Sequence, residues 1–208
     1  MTTSKNGGTP KELTLFRDNL RKQLISRREA MPPEVRAMAS SALASHLATL
    51  LSRLAPHCLG FCWPYRGEFD ARPLAGHLVD AGGQAALPVV VGTGQAMVFR
   101  EWTPESPMLE DRYGIPIPAS GAHVVPDVIL MPVNGFDAAG YRLGYGGGYF
   151  DRTLESLVPR PVAVGVGFES ARVETIRPQP FDERLDYLVT EAGAFAVTDQ
   201  GLRLIAAV

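Results

Sequence analysis

The four consecutive apolar residues Val128–Met131, inside the run "PDVILMPV", constrain this chain more than any other feature. A strand with one wet face alternates apolar and polar residues, so an unbroken apolar run predicts a strand buried on both faces. The runs "CLGFCW" (58–63), "QAALPVVV" (84–91) and "PVAVGVGF" (161–168) share that texture. "AMVFREW" (96–102) alternates and predicts another strand, and "RLDYLVTE" (184–191) a further one near the end.

Helical periodicity separates these runs. Over 11–31, Leu13, Leu20, Leu24 and Met31 fall on one stripe, with Arg17, Arg21 and Arg28 clustered beside it. "MPPE" breaks that helix, and a second follows with Val35, Met38, Leu43, Leu47, Leu50, Leu51 and Leu54 marking its buried side. Short helices are predicted over "PLAGHLVDAGG" (73–83) and "YFDRTLESL" (149–157). The proline density of "TPESPMLEDRYGIPIP" (103–118) argues against regular structure there. Strands alternating with helices predict a layered α/β fold with a mainly parallel sheet. With no internal repeat, the expected organisation is a disordered leader over 1–10 and a single domain over 11–208.

A chain of 208 residues buries roughly 70% of its unfolded surface and needs no covalent staples. Cys58 and Cys62, four apart on a strand, share a face but stand too far apart for a disulfide, so both are expected as reduced thiols. With no second cysteine pair and no histidine cluster, a zinc site is not expected. A net charge of −2 gives no support for bulk attraction to nucleic acid or an anionic membrane. No apolar run reaches the ~20 residues of a membrane span. The expectation is a cytoplasmic protein without nucleic-acid or membrane partners, monomeric or a small homo-oligomer.

Ligands of open α/β sheets gather outside the carboxyl ends of strands. Two polar loops leave predicted strands at such ends: "PYRGEFD" (64–70) and "RLGYGGGYFDR" (142–152). The second matches neither common phosphate motif, yet its glycines let backbone N–H groups converge before a helix start. The residues alone leave two readings, an anion cradle or a mobile loop, and the interleaved Tyr145, Tyr149 and Phe150 favour the cradle. Asp151 either complements the helix dipole or holds Mg²⁺. Asp182 and Asp186 suit one ion only if their segment is a turn. The arginine cluster is either a solvated flank or a phosphate grip. Glu68 is either an ordinary loop acid or a partner for donors on a heterocycle.

Several separated segments together resemble the 5-formyltetrahydrofolate cyclo-ligase family. "LMPVNGFDAAGYRLGYGGGYFDRTL" (130–154) is similar to its long M-P-x-x-x-F-D-x-x-G-x-R-L-G-x-G-x-G-Y-Y-D signature. "LRKQLISRREAM", "RGEFDARPL", "YGIPIP" and "FDERLDYLVTE" resemble other family segments in the right order. The resemblance implies a three-layer α/β/α domain with a mainly parallel sheet, of the NagB/RpiA/CoA-transferase type. It implies closure of 5-formyltetrahydrofolate to 5,10-methenyltetrahydrofolate, with ATP as co-substrate and Mg²⁺ as cofactor. It assigns ATP contacts to Arg17, Arg21, Arg142, Gly144, Tyr145, Gly146, Gly147, Gly148, Tyr149 and Phe150. Glu68, Tyr113 and Tyr149 fall on positions lining the folate pocket, and Asp151 and Asp182 on the magnesium-associated acids. Arg17 stands where a lysine is usual, Gly147 is a lysine in some members, Phe150 replaces a tyrosine, and Phe181 stands where a polar residue is common. A catalytically weak folate- and nucleotide-binding member of the same fold is the alternative.

Overall fold

The computed structural model describes residues 9–206. The leader expected over 1–10 therefore lies outside the described residues except at its end, where helix α1 (Pro10–Glu29) already begins. The Thr9 hydroxyl accepts from the Glu12 N–H, and the Glu12 carboxylate accepts from the Thr9 N–H. This capping box, with proline at the first helical position, starts the helix one residue before the periodicity does.

Helix α2 (Pro33–Leu54) buries Leu43, Leu47 and Leu50, as its pattern predicts. Val35 and Met38 do not follow, being 52% and 76% exposed. The first turn of α2 meets α1 rather than the sheet. Arg36 there donates to the carbonyls of Arg28, Glu29 and Met31, closing the carboxyl end of α1.

The chain continues through β1 (Cys58–Gly60), α3 (Arg72–Asp80), β2 (Gln84–Val89), β3 (Val98–Trp102), β4 (Met108–Glu110), β5 (Pro116–Pro118) and β6 (His123–Val124). Then come β7 (Val128–Pro132), β8 (Gly135–Phe136), β9 (Arg142–Leu143), α4 (Tyr149–Ser156), β10 (Val162–Val166), β11 (Tyr187–Thr190), β12 (Gly193–Thr198) and β13 (Gly201–Ala206). One nine-stranded sheet has the order β13-β12-β11-β10-β7-β1-β2-β3-β6. Its centre, from β11 to β2, is parallel; β12 and β13 add antiparallel strands at one edge, β3 and β6 at the other. Proline-rich 103–118, expected to be irregular, instead forms the β4–β5 hairpin. Its prolines sit in a two-stranded edge, where a missing donor breaks no interior ladder. The turn is held by Asp111, whose Oδ1 accepts from the N–H groups of Tyr113 and Ile115.

Strand β7 lies between β1 and β10 and is covered on both faces. Val128 and Leu130 join Leu43, Leu47, Leu59 and Ala75 in the core under α2 and α3. Ile129 and Met131 join Phe136 and Leu154 in the core under α4 and the β8–β9 hairpin. The two-residue period of a strand splits one apolar run between two cores, producing the expected three layers. At the amino ends of the parallel strands, Asp127 accepts from the N–H groups of His57 and Cys58, and Asp186 from that of Ala163. No helix among the described residues is long and apolar enough to cross a membrane.

Candidate functional site

The polar loops gather at the opposite ends of these strands. β1 runs into residues 61–70, and β7 into Val133, Asn134 and the β8–β9 hairpin that delivers the glycine loop. Asp137, buried in that hairpin, accepts from the N–H groups of Ala139, Tyr141 and Ile176. It fixes the turn that leads to Arg142, and only the F-D-x-x-G part of the signature hinted at it.

Gly146 and Gly148 adopt φ of +95° and +62°, a region glycine enters without strain. A Cβ on Gly147 would stand 2.6 Å from the Tyr149 ring, so a side chain there would require the ring to move. Among the described residues, no acceptor meets the backbone N–H groups of Tyr145 through Asp151. This row of donors leads up to the amino end of α4, which carries the positive end of the helix dipole.

Arginines surround this row. Arg21 Nε donates to the Gly144 carbonyl at 2.7 Å, and its Nη1 pairs with Asp18. Arg17 closes on Asp182 with two bonds of 2.7 and 3.0 Å. Arg142, with 4% of its side chain exposed, donates to Asp151 Oδ1 at 3.1 Å and to the Glu183 carbonyl. The Glu183 N–H donates to the same Asp151 oxygen, which joins the start of α4 to the segment carrying Asp182. Arg152 donates to the Gly147 carbonyl and lies over the Tyr149 ring. Asp186 is elsewhere, at the amino end of β10 with Arg160. Arg142 is thus engaged by Asp151 and the Glu183 carbonyl.

Beside the cradle opens a cavity of about 410 Å³, lined mostly by apolar side chains such as Trp63, Met97 and Ile117. Glu68, Tyr113, Tyr145, Tyr149 and Phe150 all border it. Tyr149 accepts a 2.6 Å bond from Arg112 and lies 3.1 Å, hydroxyl to hydroxyl, from Tyr113. Phe150 also packs on the core under α4, with the Arg142 guanidinium 5.7 Å from its ring. Glu68 is met by the Tyr145 hydroxyl at 2.7 Å, the Tyr65 N–H at 3.1 Å and Arg28 Nη2 at 3.6 Å. Burial pushes the Glu68 carboxyl above its ordinary range, against the pull of Tyr145 and Arg28. Burial and the Glu68 charge push the Tyr145 phenol well above its usual value.

Both cysteines are unbridged; burial drives Cys58 up to about 11 and Cys62 higher still, so neither is a ready nucleophile. Among the described residues, no group of three or more His, Cys, Asp and Glu side chains is clustered to hold a metal. Asp151 and Asp182 each pair with an arginine, Arg142 and Arg17, and the Glu183 N–H joins their two segments. Arg28, Asn134, Arg112 and Arg152 belong to the site's surroundings and carried no separate signal in the sequence beyond the arginine cluster of α1.

Residues 15–191 match the model of the 5-formyltetrahydrofolate cyclo-ligase family. The chain is 30% identical to the 5-formyltetrahydrofolate cyclo-ligase of Escherichia coli K12 over 172 residues, which is 79% of this chain and 94% of that protein. It is 26% identical to the enzyme of the same name from Haemophilus influenzae, over 85% of this chain and 98% of that protein. The solved structure of Aquifex aeolicus 5,10-methenyltetrahydrofolate synthetase superposes with a TM-score of 0.77 at 28% identity, covering 92% of this chain and 97% of that one. That of the Mycoplasma pneumoniae synthetase, 21% identical with a TM-score of 0.68, agrees in fold. A match spanning the arginine helix, the Glu68 loop, the glycine cradle and Asp182 places this chain in the 5-formyltetrahydrofolate cyclo-ligase family.

Proposed function

We propose that this protein converts 5-formyltetrahydrofolate and ATP to 5,10-methenyltetrahydrofolate, ADP and phosphate. One observation carries the reading: the donor row from Tyr145 to Asp151 borders the same apolar cavity that ends on a buried Glu68. A polyanion and a flat heterocycle can therefore lie side by side. The formyl oxygen attacks the γ-phosphorus and the bond to ADP breaks, leaving an imino-phosphate. N10 adds to the activated carbon and loses its proton, the carbon–oxygen bond breaks, and phosphate departs.

Such chemistry asks for positioning and charge neutralisation rather than a protein nucleophile. The backbone of Gly144–Gly148 and the start of α4 take the phosphates, with Arg17 and Arg21 beside them. Asp151 and Asp182 would hold Mg²⁺, which neutralises phosphate oxygens when bound. Tyr113 and Tyr149 offer faces to the pterin, and Glu68 accepts from its N–H groups. The test is the absorbance of methenyltetrahydrofolate formed from 5-formyltetrahydrofolate with and without Mg·ATP. Product that requires ATP is expected. Well-folded protein that binds the folate without turning it over would replace this reading with that of a binding protein.

A further inference from the structure

We propose that Arg28 is a positioning residue that sets the direction of the proton shared across Tyr145 and Glu68, and thereby how the cavity carboxylate meets a heterocycle. The inference rests on the cyclo-ligase reading only for the identity of that heterocycle. Arg28 is 6% exposed, and every guanidinium nitrogen is engaged. Nε donates to the Arg66 carbonyl at 3.0 Å, Nη1 to Asn134 Oδ1 at 2.9 Å, and Nη2 to the Tyr145 hydroxyl at 3.0 Å. Arg36 holds the carbonyls at the end of α1, so the side chain departs from a fixed backbone.

A phenol has one proton, and a guanidinium can only donate. With Arg28 donating to the Tyr145 oxygen, the phenol proton goes to Glu68 Oε1, 2.7 Å away. Glu68 Oε2 takes the Tyr65 N–H. The carboxylate is thus held as an acceptor on both oxygens, and its remaining lone pairs serve the cavity it lines. Such a group selects a ring edge that presents adjacent N–H donors, as an aminopyrimidinone does, and rejects one that presents acceptors. The ionisable side chains facing Glu68 are Arg28, Tyr145 and Cys62. Burial keeps the thiol neutral, so Arg28 carries the one positive charge among them. Asn134, 2% exposed, turns its Oδ1 to Arg28 and leaves its Nδ2 without a partner. That arrangement favours holding Arg28 over satisfying the amide.

The test compares Arg28→Met, Arg28→Lys and Tyr145→Phe with the unmodified protein. Binding of 5-formyltetrahydrofolate without ATP is followed by the fluorescence of Trp63, which lines the cavity, from about pH 5 to 9. Losing Arg28 removes a charge that lowers the Glu68 pKa, so the acid limb of binding should move to higher pH in Arg28→Met. Affinity near neutrality should fall about 10- to 100-fold, with the dissociation constant of a non-hydrolysable ATP analogue unchanged. Arg28→Lys should restore part of both effects, and Tyr145→Phe should weaken binding with Arg28 intact. An unmoved acid limb overturns the proposal, as does an equal loss of folate and ATP affinity with a lowered melting temperature. Because the readout is binding, absence of turnover in the unmodified protein would sink the cyclo-ligase reading while leaving the role of Arg28 decidable.

Discussion

At the cavity end of the site, Glu68 is surrounded by donors already in place: the Tyr145 hydroxyl, the Tyr65 N–H and, behind them, Arg28. At the glycine-loop end, the groups suited to a nucleotide are closed on one another, Arg17 on Asp182 and Arg142 on Asp151. One end offers a ready acceptor surface; the other is internally neutralised, and under the proposed function its ion pairs exchange partners when the nucleotide binds. Arrival of Mg·ATP would keep the charges balanced, since carboxylates can turn to the cation while Arg17 turns to phosphate. The pairing is therefore compatible with both roles proposed for these residues. It also explains how four buried or half-buried charges persist beside an apolar core.

The comparison is broken most severely at Asp151. Asp151→Asn keeps the bond from Arg142 but removes the charge, so turnover should fall by about 100-fold or more with the circular dichroism unchanged. Near-normal turnover would remove Asp151 from the metal site and leave it a capping residue of α4. A smaller effect is expected at the cavity mouth. Tyr113→Ala removes one aromatic face and should raise the Km for 5-formyltetrahydrofolate by about 3- to 10-fold, more than that for ATP. The opposite order would put the nucleotide, not the folate, against Tyr113.

The mildest change sharpens the contrast through stability. The Glu68 pKa is raised in the folded protein by burial, so its favourable contribution is complete below the unfolded pKa and is lost as pH rises through the folded one. Glu68→Gln escapes that loss while keeping an acceptor for Tyr145. Its melting temperature relative to the unmodified protein should be higher at pH 8 than at pH 4. The reverse sign would mean that Arg28 and Tyr145 stabilise the carboxylate by more than burial costs it.

The sheet was legible because β7 and its neighbours are buried on both faces, and continuous apolar runs have few other uses in a chain of this size. The β4–β5 hairpin was not, since its cause is the Asp111 turn and an edge that tolerates prolines, neither of which leaves a periodic trace. Val35 and Met38 fit the helical stripe of α2 yet face solvent, because periodicity says which residues share a face and not where along a helix the contact begins. In the site, the glycine run and its acids stood out as local motifs. Arg28 stood out only as a member of the arginine cluster and not as a neighbour of Glu68, because its partners Arg66, Asn134 and Tyr145 lie 38, 106 and 117 residues away.

Tyr149 stands with its ring over Gly147 in the cradle and its hydroxyl among Arg112 and Tyr113 at the cavity mouth. Under the proposed function this side chain touches both ligands, and a contact shared in this way is expected to link them thermodynamically. Whatever factor a non-hydrolysable ATP analogue applies to folate affinity, the folate must apply to the analogue. Measuring both dissociation constants alone and together gives that factor, and Tyr149→Ala should bring it towards unity. A single ring at the junction would then decide whether the two substrates bind as independent guests or as a pair.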